Sequence, residues 1–424
     1  MFVSTILLTI LLFAFKAPLM RFIEMEEHPE YITWMIWILF FDTLYTLPMA
    51  KLRLEERPRK YAFINVMSIM LNIVLVLFFF YVAKPAYEKD PASFPGNLFD
   101  PEIGIGYFIL SNMIASAATL VLLYKEFSGF RFRFDKKLWT DVMLYSYPLI
   151  IVGLGGMINE MLSRLVYRKV LDDNPLIEER ELGIFGANYK LAVLITIFIQ
   201  VFKLAAEPFF FNQSTKDGAQ RTYARVMKFF VIACCFMFLV VALFLDFWKL
   251  LIASKFPEYA EGIHIVPILA LGSVFLGVYY NLSVWYKLTN KNMTGAYITI
   301  GGAILTIGLN ILLIPLFRYT GAAWATFLCY TFMMVISYVM GQKYYPVPYA
   351  KKKLLTYIGI VVLMYIFHEL LVRNLSPGTS YFSLVYYSTS VIFIGVFALL
   401  ILKVEKAEFA RMPVIGRYFA GSTN

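Results

Sequence analysis

The chain has 424 residues, 60% hydrophobic and 16% charged, with a net charge of +10 and three cysteines. Soluble domains run nearer to about 45–50% apolar and about 25% charged, so a soluble globular protein is excluded and an integral membrane protein is expected. Long apolar runs, rather than ten-residue stretches of alternation, exclude a transmembrane β-barrel. The positive balance calls for no nucleic acid if the cations lie in cytoplasmic loops.

Twelve stretches approach the roughly 20 apolar residues that a helical crossing needs. They are 2–15, 31–48, 61–82, 103–124, 141–166, 182–209, 229–251, 263–286, 295–317, 321–340, 354–371 and 381–402. The first has no basic segment before it and no small-residue cleavage site after it, so it reads as a helix and not as a signal peptide. The longest outer connection, 84–102, is rich in Pro, Asp and Glu, and no soluble domain is expected anywhere. Placing 51–60 in the cytoplasm puts 24 of the 38 Lys and Arg on the inner side and 10 on the outer, which fixes the orientation with the C-terminus inside. Cys234, Cys235 and Cys329 all fall within apolar runs and read as small packing residues. No His, Cys and Asp spacing points to a metal, and no Gly-rich phosphate loop or nucleophile–base pair points to a cofactor or to catalysis.

An internal repeat is visible. Arg53-Leu54-x-x-Arg57, followed at Ala62-Phe63, has a counterpart at the same spacing in Lys287-Leu288-x-x-Lys291 and Ala296-Tyr297. Both copies lie between consecutive spans on the cytoplasmic side. Internal duplication is a mark of many transporter folds, and basic inner loops are also common by chance.

The stretch 141–211 carries ionisable groups where a lipid-facing helix carries none. Each costs about 2.5–3.5 kcal/mol at membrane depth even on the lenient scale, so such groups are expected to face a bundle interior or a watery cavity. Glu160 and Arg164 are spaced i, i+4; they either line a cavity in its outer half or neutralise each other. Lys190 either joins Arg164 there or snorkels to the outer surface. Lys203 and Glu207, also i, i+4 and just before Pro208, belong to the inner half, as cavity residues or as interface markers. Asp42 interrupts an apolar run in the inner half of its span, as a cavity group or as the cap of a kink near Pro48. Three cations against two acids in one helix pair suit an anionic cargo.

The segment FFDTLYTLPMAKLRLEERPRKYAFINV resembles the fourth-to-fifth-helix region of bacterial polysaccharide flippases of the MATE-like MOP superfamily. Pro148, Asn159, Arg164, Gly183, Phe185, Tyr189, Lys190 and Leu191 fall where the seventh and eighth helices of that family carry their Pro, polar stretch, Arg and Gly-x-aromatic run. The resemblance implies an all-α membrane transporter of two lobes: residues 1–134, then 135–341, then two final helices and a tail in 342–424. The twelve spans match helices three to fourteen, so the first lobe is expected to lack two helices. Ser163 stands where relatives often carry Asp, which leaves the role of Glu160 open.

The implied activity is flipping of undecaprenyl-pyrophosphate-linked oligosaccharide across the bacterial inner membrane by alternating access, for O-antigen or exopolysaccharide. Substrate contacts are expected at Arg164 and Lys190, with membrane lipid around the polyprenyl tail. Glu160 or Asp42 would meet a coupling cation, Na⁺ or H⁺. The alternatives are a cation-driven multidrug exporter of the same superfamily and an inactive truncated paralogue. A membrane polymerase or ligase is disfavoured because the longest outer loop holds no basic cluster.

Overall fold

The computed structural model describes residues 2–23, 26–127, 135–170, 175–254, 256–373 and 382–410; for 22–23, 158–165, 168–170, 175–176 and 373 it describes the backbone alone. All regular structure among the described residues is helical. The chain divides into two compact units, Met1–Phe134 and Asp135–Asn424.

The first unit contains α1 (Phe2–Ala14), α2 (Pro29–Leu54), α3 (Pro58–Leu77) and α4 (Tyr107–Leu122). Pro29 and Pro58 open their helices at positions where a missing N–H costs nothing. α4 packs against both α2 and α3, while α1 packs on α2. α3 runs on through a π-helical turn, Phe78–Ala83, and the short helix Lys84–Lys89. The connection to α4 is folded down on the helix ends. Tyr31 Oη donates to the Ile103 carbonyl, Asp100 N donates to Tyr107 Oη at 2.7 Å, and the Phe79 and Phe99 rings stack on Tyr107 at 4.4 and 5.0 Å.

The second unit contains α5 (Lys136–Val170), α6 (Pro175–Gln213), α7 (Ala219–Ala242), α8 (Val266–Leu282), α9 (Asn292–Tyr344), α10 (Lys351–Arg373) and α11 (Phe382–Val404). α8 is the central helix. In the run Pro257–Leu288 that contains it, 78% of the most apolar window is buried, and α6, α7 and α9 surround it. Its core partners include Ile195, Cys234, Phe238 and Leu239. All three cysteines are buried and free, as expected for packing residues.

α9 has 53 residues, far too many for one crossing, and is a hairpin. At Arg318 the backbone leaves the helical region (φ 53°, ψ −136°). Cys329 Sγ lies 3.4 Å from the Gly302 carbonyl, although a straight helix would separate them by about 40 Å. The turn demands glycine at 321, where a Cβ would stand 2.3 Å from the Leu313 carbonyl oxygen. Among the described residues, ten helices are long and apolar enough to cross a membrane, with this hairpin counted once. Its two arms and the shorter α1 account for all twelve sequence stretches.

The internal repeat is present in the backbone. Glu56 and Asn290, equivalent in the two copies, both sit at positive φ (52° and 55°). Arg57 N donates to the Leu52 carbonyl at 3.0 Å, and Lys291 N donates to the Tyr286 carbonyl at 2.8 Å. Glu55 N to Lys51 O and Thr289 N to Trp285 O repeat likewise, at 2.9 and 3.0 Å. Each loop therefore ends one helix and starts the next through the same six-residue closure.

Candidate functional site

Lys203 and Glu207 lie near one end of α6, a helix of 39 residues, about 58 Å long, which overruns a hydrocarbon core of about 30 Å. Pro208 removes one backbone donor there, and Lys203 and Glu207 lie on the turns before it. They do not pair with each other. The Lys203 ammonium stands 4.7 Å from the centre of the Tyr280 ring on α8. Glu207 instead reaches across to Lys287, in the short helix Val284–Leu288, and forms an ion pair with it. The Lys287 side chain is 14% exposed and that of Glu207 35%, so the pair is half-buried, with its lysine the more enclosed partner.

Asn281 completes the group. It is buried, and its Nδ2 has no hydrogen-bond partner. It borders the same small recess as Lys203, Glu207, Tyr280 and Val284. A second recess adjoins it, lined by Phe210, Tyr223, Trp285, Tyr345 and Tyr349. Each has room for no more than a water-sized molecule, so a ligand can enter only if the helices part. Neighbouring elements are tied in by Asn292 Nδ2, which donates to the Tyr145 carbonyl at 3.0 Å, and by Tyr223 Oη, which donates to the Phe210 carbonyl at 2.8 Å. Two ammonium groups and one carboxylate leave a local excess of one positive charge.

The other expected residues are placed differently. Lys190 is exposed on α6, thirteen residues or about 20 Å along the helix from Lys203, so the two do not share a site. Glu160 and Arg164 lie on α5, whose backbone passes through both positions, but their side chains lie outside the described residues. Asp42 is on α2 in the first unit. One carboxylate oxygen is buried without a partner, and its backbone carbonyl accepts from Thr46 Oγ1 at 2.8 Å. Among the described residues, no group of three or more His, Cys, Asp or Glu could hold a metal ion.

Sequence reasoning passed over Lys287, Tyr280 and Asn281 as site members. Lys287 was visible only as a member of the repeat, and Tyr280 and Asn281 sit in an apolar run with no spacing that sets them apart. Nothing in the sequence pairs Glu207 with a residue eighty positions away.

Two ionic clusters outside this group also escaped notice. Glu126, beyond the end of α4, receives Lys60 at 2.5 Å, Arg57 at 3.2 Å and Lys51 at 3.6 Å. The hydrogen bond from Lys60, with Arg57 and Lys51 nearby, holds its carboxyl below the usual glutamate value. Glu405, just past α11, is 2% exposed and meets Lys228 of α7 at 2.6 Å, and Lys353 and Tyr357 of α10 at 3.0 and 2.5 Å. Burial alone would raise its pKa; the hydrogen bonds from Lys228, Tyr357 and Lys353 overcome that and hold it below the usual value.

The opposite end of the second unit is laced as well. Glu181 of α6 accepts from Tyr167 of α5 and pairs with Arg318 at the α9 turn at 3.4 Å, while Arg180 pairs with Glu261 at 2.5 Å. His368 is buried, with Nε2 3.0 Å from Ser390 Oγ.

No protein-family profile matches this chain, and no curated protein matches it in sequence. Among solved structures it is similar to the lipid II flippase MurJ in an inward closed conformation. The two are 14% identical with a TM-score of 0.58, over 95% of this chain and 81% of that one. At that identity the likeness is one of fold: among the described residues the chain is all-helical, with multiple helices able to span a membrane, arranged as in that structure.

Proposed function

We propose that the protein is a flippase for a lipid-linked precursor, carrying a polyprenyl-pyrophosphate-linked oligosaccharide across the bacterial inner membrane by alternating access. The observation that carries this reading is the fold shared with a lipid II flippase over 95% of the chain. Two observations in the second unit support it. Lys203 lines a recess that is closed to anything larger than water and Lys287 reaches its edge through Glu207, the one carboxylate opposing them among the described residues.

The chemistry follows from the charges. A pyrophosphate carries more negative charge than one glutamate and competes with Glu207 for Lys287. Transfer of Lys287 to phosphate oxygens breaks the link between α6 and the helix that follows α8. Lys203, which lies over a ring face and forms no ion pair within 4 Å among the described residues, swings to the same anion. Binding energy thus goes into opening the end that the ion pair closes, which is the differential affinity that a two-state transporter needs. Arg164 on α5 and Lys190 on α6 provide further cations toward the outer leaflet, and the polyprenyl tail stays in lipid between helices. The cytoplasmic side is the one bearing the basic loops, and the lobes of the alternating cycle are 1–134 and 135–341, followed by the helices of 342–424. Coupling to Na⁺ or H⁺ at Glu160 or Asp42 belongs to the same reading, as does O-antigen or exopolysaccharide as the product.

The test is expression in a bacterium lacking its own O-antigen flippase, with surface polysaccharide as readout. Restored polysaccharide is expected, and its loss is expected in Lys203→Ala/Lys287→Ala at normal protein level. Absence of export by the well-folded wild type, in this host and in a lipid II flippase-deficient one, would refute the reading.

A further inference from the structure

The two copies of the repeat loop share one backbone but not one charge pattern. In the first copy Arg57 lies 3.2 Å from Glu55 and 3.2 Å from Glu126, so the chain supplies its own anions. In the second copy Thr289 and Asn290 replace Glu55 and Glu56. Lys291, the equivalent of Arg57, has no carboxylate partner among the described residues. Its ammonium lies instead 3.4 Å from the centre of the Tyr344 ring, and Lys343 Nζ lies 5.7 Å from the same ring.

The ring is a fixed platform. Trp285 stacks on Tyr344 at 5.7 Å and 17°, is 4% exposed, and donates from Nε1 to the Ser337 carbonyl at 3.1 Å. Because α9 is a hairpin, residues 291 and 344 meet at the same membrane end. Lys291, Lys343 and Tyr344 are all exposed there. One turn from Lys343 on the same helix face Val339 is 57% exposed, and six residues after Lys291 Tyr297 is 65% exposed, so apolar side chains lie open on both arms of the hairpin next to the cations. This layering of cation, ring and apolar flank matches the layering of a phospholipid, phosphate above acyl chain.

We propose that Lys291 and Lys343, set about the ring of Tyr344, form a site for the phosphate of an anionic phospholipid in the adjacent leaflet. The lipid supplies to the second loop the anion that Glu126 supplies to the first. The exposed apolar flank selects a lipid over a soluble anion, because only a lipid covers both parts.

The full-length protein, purified in detergent and delipidated, is titrated with phosphatidylglycerol or phosphatidylcholine while thermal unfolding and bound phospholipid per chain are measured. Phosphatidylglycerol is expected to bind and to raise Tm more than phosphatidylcholine does. In Lys291→Gln/Lys343→Gln the apparent affinity for phosphatidylglycerol falls on the order of tenfold. Lys291→Arg/Lys343→Arg keeps it, and Lys51→Ala, on the neutralised first loop, leaves it unchanged. The bound-lipid count reads the site even if the Gln variant is less stable, and the single Lys343→Gln variant, with a smaller loss, checks it. The proposal is overturned if the wild type shows no preference between the lipids, if the Gln variant keeps it, or if inorganic phosphate alone reproduces the shift.

Discussion

Glu405→Gln removes the charge from the most enclosed ionic group described. Three donors converge on this carboxylate: Lys228 at 2.6 Å, Lys353 at 3.0 Å and Tyr357 at 2.5 Å. Their contributions differ. The Lys353 side chain is 51% exposed and returns to water at little cost, whereas that of Lys228 is 9% exposed and is left as a buried cation. Removing one partner of a buried pair costs about 3–5 kcal/mol. Glu408 remains 3.3 Å from Lys228 and is 25% exposed, so the expected loss is about 2–4 kcal/mol. The counterpart in the first unit is Glu126→Gln, whose partners are 30–45% exposed, and solvent screening reduces its cost to about 1 kcal/mol. Thermal and denaturant unfolding of the purified variants compares the two. The pH dependence carries a sign: a carboxyl whose folded pKa lies below its unfolded value contributes stability that is fully present above the unfolded value. That contribution is lost as pH falls through the folded one. The gap between wild type and Glu405→Gln should therefore be full at pH 7 and narrow below about pH 4.3, the usual glutamate value. A Glu405→Gln variant no less stable than Glu126→Gln, or a gap that widens in acid, would refute the reasoning.

Other outcomes follow from single distances. Glu207→Lys and Lys287→Glu should each impair export, while the double exchange recovers part of it, with a coupling of about 1–2 kcal/mol in unfolding; export equal in all four proteins would detach the pair from transport. Gly321→Ala places a Cβ 2.3 Å from backbone and should cost about 1–3 kcal/mol, read as a lowered Tm, whereas Gly308→Ala meets nothing within 4 Å and should be neutral or slightly stabilising. Arg318→Ala removes the 3.4 Å contact to Glu181 and should speed proteolysis at the α9 turn; unchanged cleavage would show that the turn is held by packing alone.

The crossings were legible because each is a long apolar run, and composition alone commits such a run to a helix in lipid. Their ends were less so. Nothing in the apolar pattern near 318–320 shows that the turn is closed by one residue at positive φ and a glycine packed on backbone. The site was half legible. Lys203 and Glu207 stand out as charges in an apolar helix, and spacing puts them on one face. Their partners, Tyr280 and Lys287, come from elements seventy to eighty residues away, and no local pattern encodes such a pairing. Glu405 and Glu126 were missed for a related reason. Each stands beside a helix end, where a charge is ordinary, and burial by other helices makes it unusual.

The repeat sharpens what sequence reading can and cannot reach. The spacing of Arg53, Arg57, Lys287 and Lys291 pointed to duplicated loops, and the backbone bears this out in its dihedrals and its closing hydrogen bonds. Equal backbone did not mean equal chemistry. Glu55, with Glu126, keeps Lys51 and Arg57 of the first loop bound to carboxylates, while Thr289 and Asn290 leave Lys291 to an aromatic ring, and Lys287 pairs with Glu207 on another helix. A cation held by a carboxylate of its own loop is neutralised in every state of the protein. A cation held by a ring or by a carboxylate on another helix can be claimed by an arriving phosphate. On this argument the anion-responsive charge of the molecule is concentrated in the second copy, and exchanging Thr289-Asn290 for Glu-Glu should quench it without disturbing the fold, because the first copy already shows that Glu56 tolerates positive φ. Such a variant should keep its melting temperature in phosphatidylcholine and lose its preference for phosphatidylglycerol; a preserved preference would mean that loop acids do not govern whether these lysines can be claimed.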